Sequence, residues 1–348
     1  MIMKLNILKC ICGVGLICGL WSCKNGDIDF PDYGETTVYF PYQYPVRTIV
    51  LGDDEYDTSL DKAHKCRILA TFGGSYNGSN GSVTVAVDNK LCDNLYFEDE
   101  VTPVKAMPEN YYQLSTTTLN FNGTMNGATE VQLTDAFFAD PDAVKNTYVI
   151  PLVITGQTGF TKILSGKALE GYSGSRTDPS VWDVPPMDYV LYCVKYQNKY
   201  SGYWLTHGTT DTSDIEHAQA VPVRTKSLNS CVYSVSYQRK YQAKTEKGPE
   251  WQERIMTCDL LLSFDDSNKC TISSLTDGVT ASGSGVWGDN TEKKAWGDKD
   301  RDGLELNYTV DFGVDDYGNA IEKGSTHEKM IWQRSGVTIE EFAPVYKK

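Results

Sequence analysis

Leu20, Trp21, Ser22 and Cys23 close an uncharged run, Cys10 to Leu20, that follows the two lysines Lys4 and Lys9. A bilayer span takes about 20 apolar residues, so a run this short reads as the h-region of an export signal. The spacing puts a thiol where a lipobox is cut. Cleavage before Cys23 would free an amine beside the sulfur, and both groups could then be acylated. Each buried methylene contributes roughly 0.8 kcal/mol, so two or more acyl chains would hold the remaining polypeptide at a membrane without a spanning helix. Residues 1–22 are therefore expected to be a signal peptide, Cys23 a lipidation site and residues 23–36 a tether.

The spacings that mark catalysis are missing. The chain has no GxSxG elbow, HExxH pair, P-loop or family 18 Asp/Glu cluster, and His64, His207, His217 and His327 share no suggestive spacing. Glu250 and Glu253 could in principle form a glycosidase pair, but among 46 acids such pairs arise by chance. Asp298, Asp300, Asp302 and Gly303 copy the start of a calcium loop, yet Thr309 stands at the twelfth position where a bidentate Glu is needed, so a polar hairpin turn is expected instead. Cys66, Cys92, Cys193, Cys231, Cys258 and Cys270 lack the spacing of a zinc site and are expected to be reduced and mostly buried. If Asp265 to Asn268 form a turn, position 263 faces 270 and 258 faces about 275, which keeps Cys258 and Cys270 apart. No metal or cofactor is expected.

Aromatic side chains in polar loops offer a different chemistry. Trp251 lies within Lys247 to Glu253, where a tryptophan has little core to enter; Trp182 lies near Arg176 and Asp178, Trp287 between Gly285 and Asp289, and Tyr317 after Asp315 and Asp316. Each is either a plane on which a flat ligand could stack or a loop aromatic folded back over a domain edge. Trp204, Trp296 and Trp332 are expected to be scaffold.

The elements that must position these residues are strands. Short β-prone runs separated by turn clusters recur throughout, helix is scarce, and 22 tyrosines suit extended structure. In the first half Val83, Val85 and Val87 alternate with small or polar residues, while Tyr148 to Ile154 is apolar on both faces and reads as a central strand. In the second half eight candidate strands follow in order: Tyr200 to His207, Ala220 to Arg224, Cys231 to Tyr241, Ile255 to Phe264, Thr271 to Leu275, Val279 to Val286, Leu304 to Phe312 and Glu328 to Arg334. Leu304, Leu306, Tyr308, Val310 and Phe312 share one face, with Glu305, Asn307, Thr309 and Asp311 on the other. The expected fold is all-β: an immunoglobulin-like sandwich over residues 37–197, then an antiparallel meander over residues 198–348 that closes as a lipocalin-like barrel or packs as a sandwich. The formal net charge of −14, without a basic patch, argues against nucleic acid as a partner.

Particular stretches carry a family resemblance. Val83 to Asn89, Tyr111-Tyr112-Gln113-Leu114 and Tyr148-Val149-Ile150-Pro151-Leu152 resemble the N-terminal domain of unknown function carried by many Bacteroides surface lipoproteins, a module that also precedes some family 18 endo-β-N-acetylglucosaminidases. Val194 to Gly202, Ala295-Trp296-Gly297-Asp298 through Tyr308, and Trp332-Gln333-Arg334-Ser335-Gly336-Val337 resemble the β domain that usually follows it. Asp27 and Asp29 resemble the short acidic tract that sends such lipoproteins to the outer face of the outer membrane. The resemblance implies a non-catalytic glycan-binding protein working beside a TonB-dependent transporter and a SusD-like lipoprotein. It supplies no binding residues. A sugar ring has an apolar C–H face and a hydroxyl rim, so Trp251, Trp182, Trp287 and Tyr317 are the candidate platforms, each stacking contact being worth on the order of 1 kcal/mol. The alternatives are an adhesin or scaffold that binds proteins, and a cryptic glycan hydrolase.

Overall fold

The computed structural model describes residues 32–348 apart from 173, 211, 212 and 217–219. Cys23, the signal peptide and most of the expected tether lie outside the described residues. No helix among the described residues is long and apolar enough to cross a membrane.

The fold is all-β. In the N-terminal half two sheets face each other, ordered 162–163, 37–39, 65–73, 126–133, 112–114 in one and 340–341, 45–50, 189–197, 148–158, 82–87, 118–120 in the other. Alternation explains the inner faces. Cys66, Ile68, Ala70 and Phe72 are buried on one strand, Val83 and Val85 on another, and Ile150, Leu152, Ile154, Val190 and Val194 meet them in a single core. Tyr148 to Ile154 is buried on both faces because a further layer covers the outside of the second sheet. Leu91, Leu95, Phe97 and Val104 form that layer, together with Phe342 from the far end of the chain. The C-terminal segment thus returns to the sandwich: Glu340 and Glu341 pair with Val46 and Pro45, and Val345 and Tyr346 pair with Tyr96 and Leu95.

The second half is a closed barrel of eight antiparallel strands: Gly202–Thr210, Val221–Ser227, Ser230–Thr245, Gly248–Phe264, Lys269–Ser274, Thr280–Trp296, Lys299–Asp311 and Gly324–Arg334. The first and last strands pair over Trp204↔Trp332 to Thr210↔Thr326, which removes both free edges. Trp204, Leu260, Leu262, Leu306, Val310 and Met330 fill the interior, each 0 % exposed. At Gly324 a Cβ would meet the Tyr237 ring at 2.5 Å, so only glycine lets that ring pack.

Two hairpins are longer than the sequence suggested. The third and fourth strands pair without a break from Ser230↔Ser263 to Thr245↔Gly248, and the sixth and seventh reach Trp296↔Lys299. Of Asp298 to Gly303, expected to be a polar hairpin turn, only Asp298 lies in the turn and the rest is strand. Gly297 and Asp298 form that turn with φ of 63° and 57°, the left-handed pair a tight hairpin needs. Because successive strands alternate in direction, the two arms leave opposite ends of the barrel. The hairpin at Asp265 has Ser263 opposite Thr271 and Phe264 opposite Cys270, one residue out of the expected register. Cys258 and Cys270 are not partners, and all six cysteines are free.

Asn198 holds the join between the halves. Its amide donates to the carbonyls of Ser227 at 2.7 Å and Ser230 at 3.0 Å, and its Oδ1 accepts from the Tyr200 amide and the Ser201 hydroxyl. Beside it Gln197 donates to the Ser335 carbonyl, and Lys195 pairs with Glu340 at 2.6 Å.

Candidate functional site

Trp251 sits on the long third-to-fourth-strand arm, at the end of the barrel away from the sandwich. Strand alternation puts Trp251, Glu253 and Ile255 on the outer face, while Arg239 and Tyr241 turn the other way. Trp251 is 63 % exposed and Ile255 70 %. Lys240, Gln252 and Glu253 join Trp251 around a groove of about 430 Å³. Glu253 is steadied by the Gln238 amide at 2.8 Å.

Opposite residues of an antiparallel pair share a face, so Gln242 stands beside Trp251. The Gln242 Oε1 accepts from the Asn319 amide at 3.0 Å, and the same amide nitrogen reaches Asp315 Oδ2 at 3.1 Å. Asp315 also accepts from the Tyr317 backbone N–H at 2.9 Å. Asp316 accepts from the Lys244 backbone, and its carboxyl lies below the ordinary range because Tyr241 first and Lys244 second donate to its charged form. Arg239 donates to the carbonyls of Glu322 at 2.8 Å and Lys323 at 3.2 Å. The loop 312–323 is thus fixed to the arm, and Trp251 and Tyr317, 43 % exposed, share one end of the barrel, where Gln242, Asn319 and Asp315 link the loop to the arm. Planes edged by fixed hydrogen-bonding groups can stack a ring and read its rim. Carboxyls held ionised, as at Asp316, accept hydrogen bonds rather than donate protons.

The structure does not gather all four predicted platforms. Trp182 corrects a loop assignment: it opens the short strand Trp182–Val184, which pairs with Lys167–Ala168, is half-buried at the opposite end of the sandwich, and its Nε1 donates to the Ser175 carbonyl at 3.0 Å. Trp287 corrects another: it continues the strand Thr280–Trp296, is only 7 % exposed, and packs edge-on to Tyr200 under the Lys199 ammonium. Its faces are therefore taken by the barrel end. Of the expected scaffold residues, Trp204 and Trp332 are buried, whereas Trp296 is 42 % exposed at the tip of the other arm.

Gln242, Arg239 and Asn319 were not singled out by sequence reasoning. The expected strand Cys231 to Tyr241 already included Arg239; carrying its alternation past Tyr241, and that of the next strand back from Ile255 through Glu253 and Trp251, would have found the rest of the arm.

Elsewhere, burial pushes the Cys66 and Cys193 thiols up to about 12 and the Cys231 thiol up to about 11, which keeps them protonated at neutral pH. Asp300 accepts from Lys293 at 2.9 Å, and Asp302 accepts from the Asn290 backbone at 2.9 Å. Among the described residues no cluster of three or more His, Cys, Asp or Glu could hold a metal ion.

A family model for an N-terminal domain matches residues 33–161, and the model for a domain of unknown function, DUF5627, matches residues 199–336. No curated protein matches the chain. Among solved structures, a Bacteroides ovatus protein of unknown function is 34 % identical, with 91 % of this chain and 100 % of that chain covered and a TM-score of 0.77. A multidomain Bacteroides ovatus protein that includes DUF1735 is 13 % identical over 88 % of this chain and 99 % of that one, with a TM-score of 0.37. Another Bacteroides ovatus protein of unknown function is 10 % identical over 79 % and 85 %, with a TM-score of 0.35. The last two are too remote to support an argument. On the first, which is covered over its whole length, this chain belongs to the same family as that Bacteroides ovatus protein, with an N-terminal domain followed by DUF5627.

Proposed function

We propose that this protein is a non-catalytic, lipid-anchored surface protein that captures oligo- or polysaccharide for a TonB-dependent transporter and its SusD-like partner. The observation that carries the reading is the exposed Trp251 indole, fixed on a paired arm with Gln242, Glu253, Lys240 and the Tyr317 loop around it. The position of the chain's entry agrees with an anchor. Thr36 is bonded to Thr161, beyond the strand end at Thr158 and at the sandwich end opposite Gln197, where the barrel begins. A molecule held through Cys23 would present the Trp251 arm away from its attachment point, with the sandwich as spacer.

A glycan array probed with residues 24–348 should show binding that Trp251→Ala weakens. Absence of binding to every host and dietary glycan would overturn the reading. Ile255 favours a second reading, because an apolar side chain 70 % exposed on the same strand face as an exposed tryptophan also suits a protein partner, as in an adhesin or scaffold. In that case pull-down would recover a protein and sugars would not compete.

A further inference from the structure

A second concave surface lies at the sandwich, far in sequence from the arm. The chain between barrel and tail runs alongside the strand Pro45–Val50, pairing at Glu340 and Glu341, and leaves a groove of about 580 Å³ bounded by Tyr42, Tyr56, Arg47, Thr48, Ile339 and Glu341. Tyr42 is 58 % exposed, Tyr56 41 % and Ile339 98 %, so two phenol rings and an aliphatic side chain face solvent around one depression.

The polar groups of this groove are held in place. Arg47 pairs with Asp61, which is 0 % exposed and also accepts from the Val50 backbone at 3.0 Å. The same guanidinium donates to the Thr48 carbonyl at 2.9 Å and bonds Tyr56. A buried carboxylate therefore fixes an arginine, which in turn fixes a ring. The charges largely cancel: Arg47 is neutralised by Asp61 and Glu340 by Lys195, leaving the Glu341 carboxylate. Such a groove suits a ring with an apolar face and a hydroxyl rim and disfavours an anionic one.

We infer that this groove is a second carbohydrate subsite, independent of Trp251, which stacks an uncharged pyranose on Tyr42 and Tyr56 and hydrogen-bonds its rim through Arg47 and Glu341. The inference rests on the carbohydrate reading for its ligand class. Two sites on one chain would raise the avidity for a long glycan beyond either alone.

Saturation-transfer NMR on residues 24–348 carrying Trp251→Ala, with cello-, xylo- and mannohexaose and with an oligogalacturonate, separates the possibilities. Residual binding of a neutral hexasaccharide is expected, weakened roughly fivefold by Tyr56→Ala or Tyr42→Ala, as one lost stacking contact of about 1 kcal/mol requires, with the uronate excluded. Tyr42 is the more exposed of the two, so its variant reports on binding even where Tyr56→Ala disturbs the fold. Loss of all binding in Trp251→Ala, indifference to both tyrosine variants, or preference for the uronate would overturn the second subsite alone. Failure of the unmodified protein to bind any of the neutral glycans would overturn the carbohydrate reading together with it.

Discussion

Phe342→Ala should unfold the sandwich more easily while leaving the barrel intact. Phe342 lies beyond the last barrel strand, yet it is 3 % exposed in the layer that covers the second sandwich sheet. Its ring meets Phe97 at 5.0 Å and Tyr44 at 5.5 Å, both at steep angles, and its backbone N–H donates to the Tyr44 carbonyl at 3.0 Å. Removing a buried phenylalanine ring costs about 3–5 kcal/mol through lost transfer energy and the cavity left behind. With a urea dependence of about 2–3 kcal/mol per molar for a domain of this size, the midpoint of the sandwich transition should fall by roughly 1–2.5 M. The assay is urea unfolding followed in parallel by far-UV circular dichroism and tryptophan fluorescence. Five of the six tryptophans after residue 31, namely Trp204, Trp251, Trp287, Trp296 and Trp332, belong to barrel strands, so fluorescence reports the barrel separately. A loss below about 1 kcal/mol, or a shift confined to the fluorescence transition, would refute the assignment of the tail to the sandwich core.

Trp251→Ala should change stability by less than about 0.5 kcal/mol, because an exposed side chain has little burial to lose; thermal unfolding checks this and qualifies the variant for binding work. Glu328 is 1 % exposed, its carboxyl is raised above the ordinary range by burial, and it accepts from the Tyr308 hydroxyl at 2.7 Å and the Tyr233 hydroxyl at 3.2 Å. Glu328→Leu strands both hydroxyls and should cost about 2–5 kcal/mol in denaturant unfolding, whereas Glu328→Gln keeps an acceptor and should cost clearly less. Burial first, with Asp289 and Asp53 adding repulsion, raises the Asp302 carboxyl to about 6. An unfolded aspartate ionises near 3.9, so the unfolded state loses its proton first and stability should decline as pH rises from about 4 to about 6; Asp302→Asn should flatten that part of the pH–stability curve. Arg239→Ala removes the donors to Glu322 and Lys323 and should speed amide hydrogen exchange across residues 313–323, with the sandwich amides unchanged.

The barrel was legible wherever a strand has one dry face. Leu304, Leu306, Tyr308 and Val310 alternate with Glu305, Asn307, Thr309 and Asp311 in the sequence, and in the structure the first four are buried. The arm tips have no core face, so their residues read as loop. They are held by cross-strand backbone bonds and by pairs such as Lys293 with Asp300, which leave no hydrophobic period. Trp287 fell on the wrong side of that limit, although it keeps the parity of Ala281, Gly283 and Gly285, and the two glycines hid the pattern. The tail was illegible for another reason. Its contacts are long-range, as when the Ala343 amide donates to Glu98 Oε1 across 245 positions, and nothing local marks Phe342 as a core residue. At the candidate site, polarity of the surrounding residues singled out Trp251 and Tyr317, but only register places Gln242 opposite Trp251, and a side-chain bond ties Asn319 to Gln242. Tyr42 and Tyr56 gave no signal, since the other wall of their groove comes from residues 337–341.

If Trp251 is a carbohydrate platform, titration calorimetry will register the loss of its indole. A glycan selected on the array is titrated into residues 24–348, unmodified and with Trp251→Ala or Trp251→Phe. Loss of the indole should weaken binding roughly fivefold or more, with phenylalanine recovering part of it, as a stacking contact of about 1 kcal/mol requires. Equal affinities for all three proteins would mean that Trp251 is not a carbohydrate platform.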